Sequence, residues 1–406
     1  MTERVPVIVN EEHAAALRRE LADGIENNGD LRSTVWRAAV ETVPRHEFVR
    51  EYFRRVETPQ GTQWTPVVPG PGDADAWLRE VYTDQTLVTQ LNGHVRPRDV
   101  AGPIHGDPTS SSTLPSLLVR MLQDLDPHNE DRVLLVGAGS GYSTCLMCER
   151  LSSKQVTAIE ADQGAADRAR KAIKAAGYTP AVITGDGLLG HPDNGPYDKL
   201  VAFCSVRSIP PAWLSQVRPG GTIVTTVSGW LYGSGLVRLV VGEDGTAEGR
   251  FLPGTVSFMI ARSHAAPALS GVSQILGQDA DERPARYGPA VLSDWTPQFV
   301  TQLAVPGAQY VGMSLEGGPM LDHLVDAPGE SFATLVPATD CGHPTDRFTV
   351  RQGGRLRLWD MAEDALDTWK AVGAPPQTEF GLHITSDQQR VWLGSPDGPS
   401  WRLPVS

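Results

Sequence analysis

Val133-Leu134-Leu135-Val136-Gly137-Ala138-Gly139-Ser140-Gly141-Tyr142-Ser143 is the stretch whose reading decides the fold. An apolar run leads into three glycines at alternate positions, and a helical segment follows from about Tyr142 to Leu151. The pattern reads as a buried parallel strand, a tight turn and a helix N-terminus. Glycine suits this turn for two reasons. The chain needs φ > 0 there, and a ligand lying against the backbone leaves no room for a Cβ. The spacing is Gly-x-Gly-x-Gly, not the Gly-x-Gly-x-x-Gly of dinucleotide folds, so a pyrophosphate cradle is not the first ligand implied.

Working outward, Gln155–Ile159 predicts a second strand ending at Glu160, roughly 20 residues past the glycines, where a carboxylate is placed to accept hydrogen bonds from a ribose diol. Ala181–Thr184 predicts a third strand, followed by Gly185-Asp186-Gly187, whose Asp is placed to bind an adenine amino group. Pro196–Phe203 predicts a fourth. In this order the elements resemble a class I S-adenosylmethionine-dependent methyltransferase: a Rossmann-like, doubly wound α/β sheet. The resemblance implies S-adenosyl-L-methionine as cofactor. It places Gly137, Gly139 and Gly141 at its methionine end, Glu160 on the ribose, and Asp186 with Gly187 at the adenine.

The chain has 406 residues and 40% apolar residues, enough for two or three domains with sizeable cores. A formal net charge of −13 argues against general nucleic-acid binding, which needs a basic surface. Four cysteines in this length do not make a disulfide framework. The opening Met1-Thr2-Glu3-Arg4 shows no signal peptide, and no apolar run approaches the ~20 residues of a membrane span, so a cytoplasmic enzyme is expected. The sequence does not fix the oligomeric state.

Before the core, Glu11–Glu26 and Trp36–Val43 have helical spacing, Pro66–Asp75 reads as a loop, and Tyr82–Val88 as a short extended piece. Pro108–Thr113 is rich in hydroxyls and reads either as a linker with a helix cap or as part of a site; Leu114–Leu122 is helical. After the core strands, Thr222–Val227, Val237–Val241 and Thr255–Ala261 are expected to complete the sheet. Beyond a small-residue stretch at 263–280, strands are expected at Gln309–Leu315, Met320–Val325, Phe332–Pro337, Phe348–Gln352, Gly381–Thr385 and Val391–Leu393, with one clear helix at Leu358–Ala371. The expected domains are therefore 1–110, a helical segment with substrate-side loops; 111–264, the cofactor-binding core; and 265–406, a separate α+β domain suited to substrate docking or to completing the fold.

Motifs outside the glycine loop narrow the family. Val43-Pro44-Arg45-His46-Glu47-Phe48-Val49 resembles the N-terminal signature of protein-L-isoaspartate O-methyltransferases, and Tyr82-Thr83-Asp84 their aromatic-x-Asp segment. Ser111-Ser112-Thr113-Leu114-Pro115 falls on the family's Thr-Ile-Ser-Gln/Ala-Pro motif. Gly185-Asp186-Gly187 and Pro196-Tyr197-Asp198 fit its later motifs, and the resemblance spans roughly residues 35 to 262. It implies that Thr113, with Ser111 and Ser112 as alternatives, orients a substrate carboxylate, and that Asp84 and His46 lie on the substrate side; a turn carboxylate and a structural histidine are equally open readings of those two.

Two departures stand out: Thr113 occupies the family's Ser position, and the chain runs well past the usual family end. Elongated relatives resemble enzymes of ribosomally made peptides, such as graspetides and lanthipeptides. That implies esterification of a normal aspartate in a cyclised precursor peptide, leading to succinimide (aspartimide). The alternatives are isoaspartate repair and a non-catalytic peptide- or cofactor-binding module. Cys145 and Cys148 stand one helical turn apart with no His/Cys partner motif, so they read as core thiols and no metal is expected. Trp295, Trp359, Trp369, Trp392 and Trp401 read as core or as an aromatic peptide groove.

Overall fold

The strand that decides the fold, Val133–Val136, is buried at all four positions. It runs parallel to Val156–Glu160 on one side and to Tyr197–Val206 on the other. Such double-sided burial needs a continuous apolar run rather than an alternating one. The computed structural model describes residues 9–59, 61–70, 72–314, 318–340 and 343–404. The opening Met1–Arg4 and Leu315 of the sequence reading lie outside the described residues. The chain forms two compact units, one of residues 1–203 with 215–224, the other of residues 204–214 with 225–406.

Around the central strand the order is Val217–Ser228, Tyr197–Val206, Val133–Val136, Val156–Glu160, Ala181–Thr184. Helices Tyr142–Arg150 and Gln163–Ala175 connect the parallel strands. Asp162 caps the second of these by accepting from the Ala165 amide at 2.7 Å. The glycine turn has φ values of 87°, 55° and 95° at Gly137, Gly139 and Gly141.

Ahead of this sheet stand helices Glu11–Asn27, Thr34–Thr42, Arg45–Phe48 and Ala74–Val81. A second, antiparallel sheet runs in the order Gly61–Val67, Tyr52–Thr58, Leu87–Leu91, Pro108–Ser112. The hydroxyl-rich run is thus a strand rather than a linker, and helix Pro115–Leu125 follows with Pro115 in its first turn. The hairpin of Tyr52–Thr58 and Gly61–Val67 was not legible: apart from Tyr52, Phe53 and Trp64 its residues are exposed or half-buried and several are charged, so it lacks a continuous apolar signature.

The second unit contains an antiparallel sheet ordered Ser234–Val241, Ala247–Phe251, Phe380–Ile384, Gln389–Leu393, Ser400–Arg402. It also contains a five-stranded sheet ordered Asp281–Pro284, His343–Gly353, Ser331–Asp340, Met320–Asp326, Gln309–Ser314. Leu358–Ala371 is helical as expected, and Trp295–Ala304 is a further helix. Two expectations are corrected. Thr255–Ala261 is not a strand and makes only a single bridge, Ile260 to Ser205. The strand beside Ser234–Val241 is Ala247–Phe251, whose alternating burial escaped a search for apolar runs. The expected boundary near 265 also differs from the compact units, because Phe380–Ile384 pairs with Ala247–Phe251 and draws the residues before 265 into the second unit. Trp359, Trp369 and Trp392 are buried. Among the described residues no helix is long and apolar enough to cross a membrane.

The glycine turn generates the first prediction. A Cβ on Gly141 would lie 2.9 Å from Ile173 Cγ1, at a φ that L-residues rarely adopt. Gly141→Ala is expected to lower stability by about 1–3 kcal/mol, measured by urea unfolding. An unchanged unfolding midpoint contradicts the strain assigned to this turn.

Candidate active site

Arg45 opens the short helix Arg45–Phe48 and is fully buried. Its Nη1 donates to the carbonyls of Val81 and Thr83 at 2.9 and 2.8 Å. Its Nη2 donates to those of Gln85, Ser112 and Thr113 at 2.8, 3.3 and 3.3 Å. A guanidinium can do this because its donors are held in a rigid fork. Burial lowers the Arg45 pKa to about 10, opposed by nearby Tyr142 and Asp84, so the group stays cationic at neutral pH. Carbonyl dipoles surround it in place of a counterion.

The same joint uses two side chains of the 82–86 turn. Asp84 Oδ1 accepts from the Ser116 amide at 2.9 Å and caps helix Pro115–Leu125. Thr86 Oγ1 accepts from the Leu114 amide at 3.1 Å. His46 is 4% exposed; its Nδ1 lies 2.7 Å from the Tyr82 hydroxyl, and its ring stands edge-on to Trp77 and Tyr82. Burial lowers the His46 pKa, so the ring is neutral at pH 7. Packed this way, His46 supports the 82–86 turn from behind.

Pro108–Ser112 pairs with Leu87–Leu91, setting Ser112 opposite Leu87 and Ser111 opposite Val88. Strand alternation turns successive hydroxyls to opposite faces. The Ser112 hydroxyl is buried and has no hydrogen-bond partner among the described residues. The Ser111 carbonyl lies 3.3 Å from where a Cβ on Gly139 would sit, so the backbone of this strand rests on the glycine loop. Thr113 is half-buried, its carbonyl held by Arg45. Sequence reasoning missed Ser110, which accepts from Thr89 Oγ1 at 3.2 Å and lines the neighbouring cleft with it. Thr113 does not line that cleft.

On the other side of the loop, Glu160 Oε2 accepts from the Gly139 amide at 2.8 Å, and Oε1 from the Asp162 amide at 3.0 Å. An ionised carboxylate has about four acceptor positions, so capacity for a diol remains. Asp186 Oδ1 accepts from the Leu188 amide at 2.9 Å at the start of the turn Gly187–Leu189. A Cβ on Gly187 would fall 2.3 Å from Val136 Cγ1, so only glycine allows the Asp186 turn to close on the central strand. Two carboxylates beyond adjacent parallel strands, beside a glycine turn, provide the acceptors that a ribose and an adenine amino group require. The residues present fit S-adenosylmethionine.

The cleft beside Gly139 and Ser140 has a volume of about 410 Å³. Its lining includes Arg96 and Arg98, both paired with Glu51 at 2.5 and 2.7 Å, and Arg168 and Lys171 from helix Gln163–Ala175. Motif reading passed over these cations because they come from three separate segments. Cys145 and Cys148 are buried, and burial pushes both thiols up, Cys148 to about 12. Among the described residues no group of three His, Cys, Asp or Glu side chains is placed to hold a metal.

This sheet, its glycine turn and its two acidic loops define a class I methyltransferase. The model of the family Protein-L-isoaspartate(D-aspartate) O-methyltransferase matches residues 79–248. A protein-L-isoaspartate O-methyltransferase of Ignicoccus hospitalis is 34% identical over 151 residues, which are 37% of this chain and 68% of that protein. One of Methanopyrus kandleri is 30% identical over 213 residues, 52% of this chain and 76% of that protein. A solved structure titled protein-L-isoaspartate O-methyltransferase has the same fold, with a TM-score of 0.53 and 17% identity over 93% of this chain and 100% of its own. The chain belongs to the protein-L-isoaspartate O-methyltransferase family. It is an S-adenosylmethionine-dependent carboxyl methyltransferase acting on a peptide or protein, which sets aside the non-catalytic module.

The assignment of the two acidic residues is tested by titration. Glu160→Ala and Asp186→Ala are each expected to weaken S-adenosylmethionine binding about tenfold or more, the scale of a lost hydrogen bond to a charged group. Unchanged affinity in both variants, by isothermal titration calorimetry, removes the assignment.

Proposed function

We propose that this enzyme esterifies the free carboxylate of L-isoaspartyl residues in polypeptides. The observation that carries the reading is the seating of the Ser111 backbone on the Gly139 loop, which sets the hydroxyl-rich segment beside the cofactor-binding turn. No general base is required, because a carboxylate with a pKa of about 4 is already ionised at neutral pH. When bound, S-adenosylmethionine supplies an electrophilic methyl group. The chain's own work is placement, an effect that can contribute ~7–11 kcal/mol. Glu160 and Asp186 hold the nucleoside, and the glycine turn leaves the backbone open beside it. The Thr113 hydroxyl donates to the substrate carboxylate and fixes its approach, with Ser111 and Ser112 as the neighbouring candidates. The ester product then closes without enzymatic help: the next backbone amide nitrogen attacks it, methanol leaves, and a succinimide forms. Hydrolysis of the succinimide returns aspartate or isoaspartate. The reading places the enzyme in the cytoplasm, in keeping with Cys145, Cys148 and Cys204, none of which is in a disulfide.

A second reading is esterification of a normal aspartate in a cyclised, ribosomally made peptide, with residues 265–406 docking that peptide. Thr113 in the family's Ser position supports it. Length alone does not favour it, since the solved isoaspartate enzyme aligns over 93% of this chain.

One comparison tests both. An isoaspartyl peptide and a cyclised precursor peptide are offered to the enzyme and to its Thr113→Val and Thr113→Ser variants, with products followed by mass spectrometry. The isoaspartyl peptide is expected to be esterified and then to lose methanol. Thr113→Val, which keeps the shape and loses the hydroxyl, should lower kcat about 10- to 100-fold, while Thr113→Ser retains activity. Esterification of the cyclised peptide alone establishes the second reading. A fully active Val variant moves the orienting role to Ser111 or Ser112.

A further inference from the structure

The cleft beside the glycine loop has a charge that methyl transfer itself does not use. In a chain of net charge −13, five cations line it, Arg50, Arg96, Arg98, Arg168 and Lys171, against only two carboxylates, Glu47 and Glu51. Arg50 is taken up by Glu47. Glu51 is only 7% exposed and serves Arg96 and Arg98 together. That leaves Arg168 and Lys171 with no ion-pair partner among the described residues.

Arg168 is held in an unfavourable setting. Burial, and then the neighbouring charge of Arg96, both lower its pKa. The charges of Asp162, Glu51 and Glu160 offset this in part. An incoming carboxylate would add to that compensation, and a partly buried cation in a cleft with no ion-pair partner is a mark of a binding site. Arg168 and Lys171 stand one turn apart on one helix, and Ala172 and Ala175 beside them leave the wall open. Side chains three residues apart on a helix are ~5–6 Å apart, and alternate residues of an extended peptide are ~7 Å apart on one face. Two acidic side chains of an extended peptide can therefore meet the two cations together. A surplus of positive charge in a concave site of an otherwise acidic protein also concentrates anionic ligands there.

We propose that this cleft selects acidic peptides, with carboxylates flanking the methylated residue received by Arg168 and Lys171. The proposal rests on the reading of the adjoining site as a carboxyl methyltransferase centre, and extends it to the class of substrate.

The test is peptide binding to the full chain in the presence of S-adenosylhomocysteine. Fluorescence anisotropy is read for labelled isoaspartyl peptides of equal length, flanked by Glu, Gln or Lys. The Glu-flanked peptide is expected to bind about tenfold more tightly than the Gln-flanked one, and the Lys-flanked one more weakly still. Raising the salt to about 1 M should shrink these differences. In the Arg168→Gln/Lys171→Gln variant the preference should vanish, and in Arg168→Glu/Lys171→Glu it should invert, with S-adenosylhomocysteine affinity showing that each variant is folded. A preference that survives both variants, or that is absent from the starting protein, overturns the proposal. So does a Gln variant that loses affinity for S-adenosylhomocysteine while keeping the peptide preference, since the cations then serve the cofactor's own carboxylate. Charge-dependent binding without turnover counts against the isoaspartyl reaction alone; turnover with charge-independent binding counts against the cleft assignment alone.

Discussion

The site depends on one buried cation. Arg45 reaches carbonyls on two segments far apart in sequence, the 81–85 turn and the Ser112–Thr113 end of the hydroxyl-rich strand. A buried charge is costly unless it is hydrogen-bonded, and with its Nε lacking a partner among the described residues the guanidinium relies on these five carbonyls. Removing any one of them leaves the guanidinium undersatisfied. Arg45 thus ties the turn to the strand end, and Asp84 ties the same turn to the helix that follows.

The joint matters because of what lies against it. The hydroxyl strand rests on the glycine loop at Ser111, and Glu160 ties that loop to the end of the next core strand through the Gly139 amide. Substrate-side and cofactor-side groups are thus registered through backbone contacts rather than through flexible side chains. This suits a reaction whose nucleophile is already ionised, since little remains for the protein to contribute but distance, direction and a complementary field. Glu51 ties down two of the guanidiniums at the cleft, Arg96 and Arg98.

The parallel core was legible because its signals are local. Val133–Val136 is a continuous apolar run, the glycines mark the turn, and Glu160 and Asp186 follow their strands at short range. The antiparallel parts were less so. Ala247–Phe251 is buried only at its ends and at its middle is half-buried, and Gly249 is glycine because the Arg238 carbonyl would lie 1.9 Å from a Cβ there. No apolar run announces such a strand. The role of Arg45 was illegible for another reason: its partners are main-chain carbonyls, which carry no side-chain signature. Asp84 and His46 were found by resemblance, yet a helix cap and a packed ring look the same in sequence as substrate contacts. The cleft cations converge from the 50, 96–98 and 168–171 regions, which only the tertiary structure brings together.

The central claim is that Arg45 holds the hydroxyl strand in register with the cofactor loop. Lysine keeps the charge but lacks the fork, and so cannot serve both segments. The decisive measurement is methyl transfer by Arg45→Lys at saturating S-adenosylmethionine, alongside its affinity for S-adenosylhomocysteine. A folded variant that still binds S-adenosylhomocysteine but transfers methyl groups about tenfold or more slowly is the predicted result, on the scale of one or two lost charge-assisted hydrogen bonds. Full activity in the lysine variant would contradict the account.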